Sequence, residues 1–386
     1  MYTPLNKEQY AVNLRATVKL GKLSETESIA ALQRAWVNTR FQHPMIAVTD
    51  DGNNLVYEVP DSTKLSDWIG KSFLVHKGEK VTEFLLTALL QDYQTLHYFP
   101  ETSEILMRTH HLLTDGIGAV CLLDRFLTYL SADETLPIFG SEQLRLAPSH
   151  TEAAGISTVL SPSAEATAEE VFMSFVTKMP SVGLPILPLS KPGGTKVFTL
   201  ASPLSTLPKL LAAVRKHKLG VAAAVQSAII LVTHEMAPPA LAKRDFSTIA
   251  YFSHREYLPN PYSDMAAWPM GLWMIGLPLS QPQADFATTA NNMQAVYGQD
   301  LGIDTSSTFE WYSGFSARMA KLLASPMPDN VPPPTQPQLS SIGLLDGKVK
   351  AHYEGKVKVE VESLEPIVDM MAAQIVVYQW YEYFDS

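Results

Sequence analysis

SEILMRTHHLLTDGIGAVCLL, the sequence from Ser103 to Leu123, sets a polar turn between two apolar segments. The first segment predicts a β-strand and the last predicts the start of a buried helix. The turn holds two adjacent histidines, His110 and His111, followed by Asp115 and Gly116. Neighbouring residues at a strand end point to opposite sides, so only one imidazole can face a cleft. A neutral imidazole, whose ordinary pKa is about 6.5, can accept a proton there.

Two other interpretations of this turn stay open at this point. A His-His pair with an acid four residues on could ligate zinc, but no further His or Cys cluster has the spacing of zinc ligands. The histidines could also be structural and simply pack inside a turn. The doubled histidine, the Asp-Gly pair and the strand-to-helix context together favour a catalytic site without a metal.

The turn resembles a known signature. HHLLTDG is similar to the HHxxxDG motif of the superfamily that contains chloramphenicol acetyltransferase, plant BAHD acyltransferases and peptide-synthetase condensation domains. Further segments resemble those of fungal condensation-like O-acyltransferases of the trichothecene 15-O-acetyltransferase type. They follow in the expected order: Leu144–Ser149 (LRLAPS), Gly220–Ala228 (GVAAAVQSA), Arg255–Pro259 (REYLP), Trp268–Gly271 (WPMG) and Ser340–Gly343 (SSIG). The resemblance covers most of the chain.

The resemblance implies roles for the residues of the turn. His111, the second histidine, matches the general base of the family. Asp115 matches an acid that points away from the base and pairs with an arginine, for which Arg255 is the candidate; direct orientation of the histidine is the alternative role. His110 is expected to pack beneath the turn in a supporting role, and Gly116 is expected to be needed for the turn.

Candidates for the rest of the site lie in the second half of the chain. Ser340 and Ser341 follow a proline-rich loop and resemble the position that faces the base, where one of them could donate to the developing oxyanion. Trp268 could line an apolar acceptor pocket. Each has a plain structural alternative, since serines also end loops and tryptophans usually belong to the core.

The implied activity is transfer of an acyl group, with acetyl the first expectation, from acyl-CoA to a hydroxyl of a secondary metabolite. No cofactor would be bound permanently, and acyl-CoA, or a thioester on a carrier protein, would be a co-substrate. One alternative is a condensation-like cyclase or pericyclase of a fungal polyketide or peptide pathway that uses the same cleft without acyl transfer. A third is a binding protein with a vestigial cleft, against which the intact motif argues.

Composition bounds the class of protein. The chain has 386 residues, of which 46% are hydrophobic and 18% charged, as in a globular protein with a large core. A formal net charge of −10 argues against a general nucleic-acid binder. The single cysteine, Cys121, excludes an internal disulfide and suits a core position in a reducing compartment. The start lacks a secretory signal and no segment is long enough to span a membrane, so a cytoplasmic enzyme is expected.

The expected architecture is α/β, of the layered α+β kind, with two chloramphenicol-acetyltransferase-like sandwich subdomains and the active-site cleft or tunnel between them. The N-terminal subdomain covers residues 1–170 and carries the motif. Residues 171–199, rich in proline, form a crossover linker, and residues 200–386 form the C-terminal subdomain. Locally, the sequence predicts a helix start at 24–27 with Ser24 as the capping residue, a helix over roughly 29–39 and a strand over 43–48.

Overall fold

The computed structural model describes residues 10–51, 54–89, 91, 93–185, 196–200, 203, 205–299, 301, 305–325, 334–345, 347–369 and 376–381. The strands are β1 (Ala11–Lys19), β2 (Thr49–Asp50), β3 (Leu55–Val56), β4 (Phe73–Val75), β5 (Thr95–Phe99), β6 (Glu104–His110), β7 (Phe246–Ser253), β8 (Met274–Gln281), β9 (Gln338–Leu344), β10 (His352–Tyr353), β11 (Val359–Val368) and β12 (Val376–Tyr381). The helices are α1 (Glu25–Gln42), α2 (Ser62–Ser72), α3 (Val81–Phe84), α4 (Gly116–Ala132), α5 (His150–Ala153), α6 (Pro162–Val176), α7 (Thr206–Lys216), α8 (Val221–Met236), α9 (Phe286–Tyr297) and α10 (Thr305–Ala324). The α/β class predicted from the sequence is confirmed.

A six-stranded sheet forms the centre of the first half, in the order β10-β11-β1-β6-β5-β4. Helices α1 and α4 pack together over this sheet and share its largest hydrophobic core. Trp36 of α1, Phe126 of α4 and Leu14 of β1 are all fully buried in that core. Burial of this kind stabilises by roughly 1.5–3 kcal/mol for each large side chain. The core therefore fixes α4 against the strand that precedes it.

The central sheet joins distant parts of the chain. Strand β1 pairs in antiparallel fashion with β6 on one side and with β11 on the other, where Val12 lies opposite Val368. The expected division would assign residues 352–368 to a separate C-terminal subdomain, but their strands complete the N-terminal sheet. The expected linker differs as well, because α6 runs to Val176 within it; residues 186–195 of the linker lie outside the described residues.

The second half contributes two further pairs of strands. β7 and β8 are antiparallel, with Phe246 opposite Gln281, and β9 and β12 are parallel. Helices α8 and α9 pack against the β7–β8 pair in a core that includes Ile230, Phe246 and Met293. Residues of all four strands line a cavity together with residues of the first half, so the second half contributes to the same site.

Local signals explain where the N-terminal elements begin and end. Helix α1 begins at Glu25, directly after the predicted capping residue Ser24; Ser24 and Glu27 form a capping box, in which each side chain accepts from the other residue's backbone N–H. The strand predicted over 43–48 is wrong: a 3₁₀ helix, Pro44–Ala47, occupies it. Proline lacks a backbone N–H and its fixed φ suits the first position of a helical turn, which overrides the apolar pattern.

Among the residues that the structure describes, no single helix is long and apolar enough to cross a bilayer. Only α7 and α8 taken together match such a span by length and composition, and they are bent by 95° at the break between them.

Candidate active site

The turn after β6 is tied to the first strand of the central sheet. His110 ends β6, lies opposite Ala11 of β1 and is buried, with its Nδ1 accepting from the backbone N–H of Leu112 at 3.2 Å. The backbone N–H of His111 donates to the carbonyl of Tyr10 at 2.9 Å. The chain thus leaves the sheet between the two histidines, and the two rings occupy different environments.

Asp115 organises the start of α4. As the N-cap residue it accepts from the backbone N–H of Gly118 at 2.8 Å through Oδ1, as aspartate commonly does at this position. Nε of Arg255 donates to both carboxylate oxygens, at 3.0 and 3.1 Å. Oδ2 also accepts from the backbone N–H of Trp273 at 2.9 Å. The structure therefore brings together the acid of the motif and an arginine from the second half.

The arginine of this pair is completely buried and every one of its nitrogens donates. Nη1 of Arg255 donates to the carbonyl of Trp268 at 2.9 Å and Nη2 to that of Gly271 at 2.6 Å, while the guanidinium lies 5.1 Å from the centre of the Trp273 ring. Burial alone would raise the pKa of Asp115, but the charge of Arg255 and the bonds to the carboxylate hold it below its ordinary value. The stabilisation from this pair is therefore present at neutral pH and lost in strong acid.

Close backbone approach makes one glycine of this region indispensable. A Cβ at Gly118 would overlap the guanidinium of Arg255, the carbonyl of Pro269 and the hydroxyl of Thr114. The expectation that Gly116 is needed for the turn is wrong, because its φ is not positive and a Cβ there would meet only the Ile342 side chain at 3.4 Å. Gly118, and not Gly116, is the glycine whose missing side chain lets the two halves make contact.

A cavity of about 110 Å³ separates the two halves in front of the turn. His111, Gly116 and Ile117 line it from one side. Ser340 and Ser341 of β9 also line it, so these two predicted residues do share a cavity with the predicted base. The other lining residues are Tyr10, Val12, Asp115, Tyr251, Phe252, Ser253, Met274, Gln338, Leu339, Ile342, Pro366, Val368 and Val376.

The His111 ring is held by an aromatic neighbour that sequence reasoning missed. Tyr10 stacks on it with ring centres 4.6 Å apart and planes 20° apart. The Nδ1 atom is buried and makes no hydrogen bond to the described residues. Burial lowers the pKa of His111 below its ordinary value of 6.5, although the main chain of His111 and Thr114 and the charge of Asp115 act in the opposite direction. The imidazole is therefore neutral at neutral pH.

Trp268 and Cys121 lie outside the lining of the catalytic cavity. Trp268 does not line the cavity of His111; its ring packs against Tyr262 and in the cluster around the buried Trp273. Cys121 is buried in α4, and burial raises the pKa of its thiol to about 11, which suits a core residue rather than a nucleophile. Within the described parts of the chain, no group of three or more His, Cys, Asp or Glu side chains could hold a metal ion.

Substitutions at Gly118 and Gly116 test how closely the Arg255 segment approaches α4. Gly118→Ala is expected to lower the free energy of unfolding by ~1–3 kcal/mol, because the added methyl group forces the Arg255 segment outward, even though alanine is the better helix former. Gly116→Ala, the matched control at the first position of the same helix, is expected to change it by less than ~1 kcal/mol. Chemical denaturation measures both. Equal stability of the two variants would contradict the predicted overlap.

Asp115→Asn tests the ion pair. Asparagine still caps a helix but leaves the buried Arg255 without a counter-charge, so we expect a loss of ~3–5 kcal/mol in stability, and activity falls with it. Asp285→Asn is the matched control, because Asp285 caps α9 in the same way at an exposed site. An unchanged melting temperature for Asp115→Asn together with lost activity would instead indicate direct orientation of His111.

Comparison with known proteins identifies similar sequences and a similar fold. No protein-family profile matches the chain. The O-acetyltransferase pigM of Monascus ruber is 26% identical over an alignment 397 residues long, which spans 98% of this chain and 75% of that protein. The solved structure of TRI3 trichothecene 15-O-acetyltransferase from Fusarium sporotrichioides superposes with a TM-score of 0.78 at 15% identity, over 97% of this chain and 86% of that one. The first condensation domain of the calcium-dependent antibiotic synthetase gives a TM-score of 0.59 at 15% identity, over 97% and 83%. The resemblance predicted from the sequence is confirmed, and the chain has the fold that the trichothecene acetyltransferase shares with condensation domains.

Proposed function

We propose that this chain is an acyltransferase that moves an acyl group, with acetyl the first candidate, from acyl-CoA to a hydroxyl of a small secondary metabolite. The observation that carries the proposal is the position of His111. Its imidazole, neutral at neutral pH, lines a cavity built from both halves, on a turn that the Asp115–Arg255 pair holds in place. The acetyltransferase name of the Monascus relative and the 15-O-acetyltransferase of the Fusarium structure support acyl transfer to oxygen.

The chemistry follows from a neutral base beside an apolar cavity. The acceptor hydroxyl gives its proton to the imidazole as its oxygen attacks the thioester carbonyl, and the proton then passes to the departing thiolate. We assign the proton to Nε2 of His111, because Nδ1 is buried. The C–S bond breaks as the C–O ester bond is completed. No covalent acyl-enzyme and no resident cofactor is needed for this sequence.

The negative charge that develops on the carbonyl oxygen needs a donor. Ser340 and Ser341 lie on β9 and line the same cavity as His111, and we propose that one of their hydroxyls donates to that oxygen. Asp115 acts as a positioning residue in this scheme. Its oxygens are already engaged by Arg255, Gly118 and Trp273, so it supports the turn rather than the proton transfer itself.

Replacing the base is the direct test of the mechanism. His111→Ala is expected to lower turnover by ~10²-fold or more while the fold stays intact, because the proton acceptor is lost and the side chain is not part of the hydrophobic core. Mass spectrometry of candidate acceptors incubated with acetyl-CoA measures the gain of one acetyl group. His217→Ala, at an exposed histidine beyond α7, is the matched control and should retain full turnover.

Two outcomes would overturn this assignment. Near-normal turnover in a folded His111→Ala variant would remove acid–base catalysis from the site. Conversion of a substrate without a mass gain would favour the cyclase alternative, in which the cavity chiefly holds a substrate in a reactive shape. His110→Ala separates the two histidines, since the buried His110 should act mainly through the melting temperature.

The pH dependence gives an independent check. A general base works only when deprotonated, and burial lowers the pKa of His111, so the midpoint of the fall in kcat/KM towards acid pH should lie below 6.5. The acid limb of the kcat/KM profile reports the free enzyme and is the quantity to measure. A midpoint above pH 6.5 would contradict a buried base. The His111→Ala variant should lack this limb.

A further inference from the structure

A second cavity, of about 350 Å³, lies away from the catalytic turn. It is lined by residues from the end of α1, the middle of α4, the 3₁₀ helix Glu142–Arg145 and a loop of the second half. Its lining residues are Gln42, His43, Arg125, Tyr129, Arg145, Ala266, Ala267 and Trp268. None of them is acidic, although the chain as a whole carries a formal net charge of −10. The cavity is thus positively charged within an acidic protein.

Two arginines supply this charge. Arg125 pairs with the neighbouring Asp124 through Nε and Nη2, and Asp124 also accepts from the hydroxyl of Tyr353. Arg145 uses Nε and Nη2 to donate to the carbonyl of Phe41, at 3.1 and 2.7 Å, and has no carboxylate partner in the described chain. The charge of Arg145 is therefore uncompensated, and Nη1 of each arginine makes no hydrogen bond to a described residue.

Neutral polar groups complete the lining. Nε2 of His43 lies 3.0 Å from the hydroxyl of Tyr129. Burial raises the pKa of Tyr129 to about 12, so the hydroxyl keeps its proton, and burial with the two nearby arginines lowers the pKa of His43 to about 3, so that ring is neutral. When the neutral ring donates through Nε2, the tyrosine proton is left to point into the cavity. In that tautomer the two arginines and the tyrosine hydroxyl can all donate to a ligand.

We propose that this cavity is a binding site for a phosphoryl group. A phosphate presents several oxygens, which can accept from two guanidinium groups and a hydroxyl at once, and arginine is the residue that best matches this geometry. The small side chains of Ala266 and Ala267 leave room for the group. Trp268, which does not line the catalytic cavity, lines this one.

The phosphoryl group can come from two sources. Arg125 follows Asp115 by ten residues of the same helix, which places it about 15 Å along the axis from the catalytic turn. An extended phosphopantetheine arm has a comparable reach, so one end of a phosphorylated thioester could occupy this cavity. Free phosphate is the other source. The binding proposal itself does not depend on acyl transfer.

Titration calorimetry at fixed ionic strength tests the proposal on the full chain, with inorganic phosphate, coenzyme A, dephospho-coenzyme A and pantetheine as probes. We expect phosphate-bearing probes to bind and Arg125→Gln and Arg145→Gln each to weaken binding by ~10-fold or more, since each removes a charge-assisted hydrogen bond. Arg34→Gln is the matched control. Arg34 also pairs with an aspartate, Asp133, on the same pair of helices but outside the cavity.

A second pair of variants leaves both arginines in place. Ala267 is exposed on the loop, so Ala267→Glu should fold normally while its carboxylate repels the anion and abolishes binding. Ala267→Gln has nearly the same size without the charge and should still bind. This pair separates loss of the site from loss of the fold.

Tight binding of coenzyme A in competition with phosphate identifies a phosphorylated ligand, and binding of inorganic phosphate alone identifies the free anion; both support the site. Absence of binding by every phosphate-bearing probe would overturn it. So would binding that Arg125→Gln, Arg145→Gln and Ala267→Glu all leave unchanged. Failure of acyl transfer with binding retained would count against the proposed function and not against this site.

Discussion

The buried contact between Asp115 and Arg255 is the constraint on which the site depends. Each partner alone would be a costly unpaired charge in the interior, so neither half can keep its own geometry without the other. Asp115 caps α4, the helix that follows the catalytic turn. Arg255 donates to the carbonyls of Trp268 and Gly271 close to the same carboxylate. One ion pair thus fixes both the direction of α4 and the distance between the two walls of the cleft.

Much of this arrangement could be predicted because it depends on local sequence. The strand, turn and helix around His111 follow from the apolar pattern, and the resemblance suggested the roles of Asp115 and Arg255. The 3₁₀ helix at Pro44 was missed because an apolar run of that length suits several local structures. Tyr10 was missed for a different reason. Its stacking on the imidazole depends on the register between β1 and β6, which no local pattern records.

Helix α4 connects the two cavities of the molecule. Its first turn belongs to the catalytic site, and its middle contributes Arg125 and Tyr129 to the lining of the second cavity. Both groups of residues stand on an element that is packed against α1 and the central sheet, and positions on such an element are held more accurately than positions on a loop. No sequence pattern predicted the second cavity, because Arg145 and the Ala266–Trp268 loop reach it only through the tertiary fold.

The pairing of β1 with β11 governs how the chain is made as well as how it is held. Val12 finds its partner Val368 only after several hundred further residues have been synthesised, a delay on the order of tens of seconds at ordinary rates of translation. Until then one side of β1 is an open edge with unpaired backbone groups, the kind of surface that pairs with other chains. Contacts so distant along the chain also slow folding. The nascent N-terminal half therefore completes its native sheet late, and during that interval the edge of β1 is open to pairing with other chains.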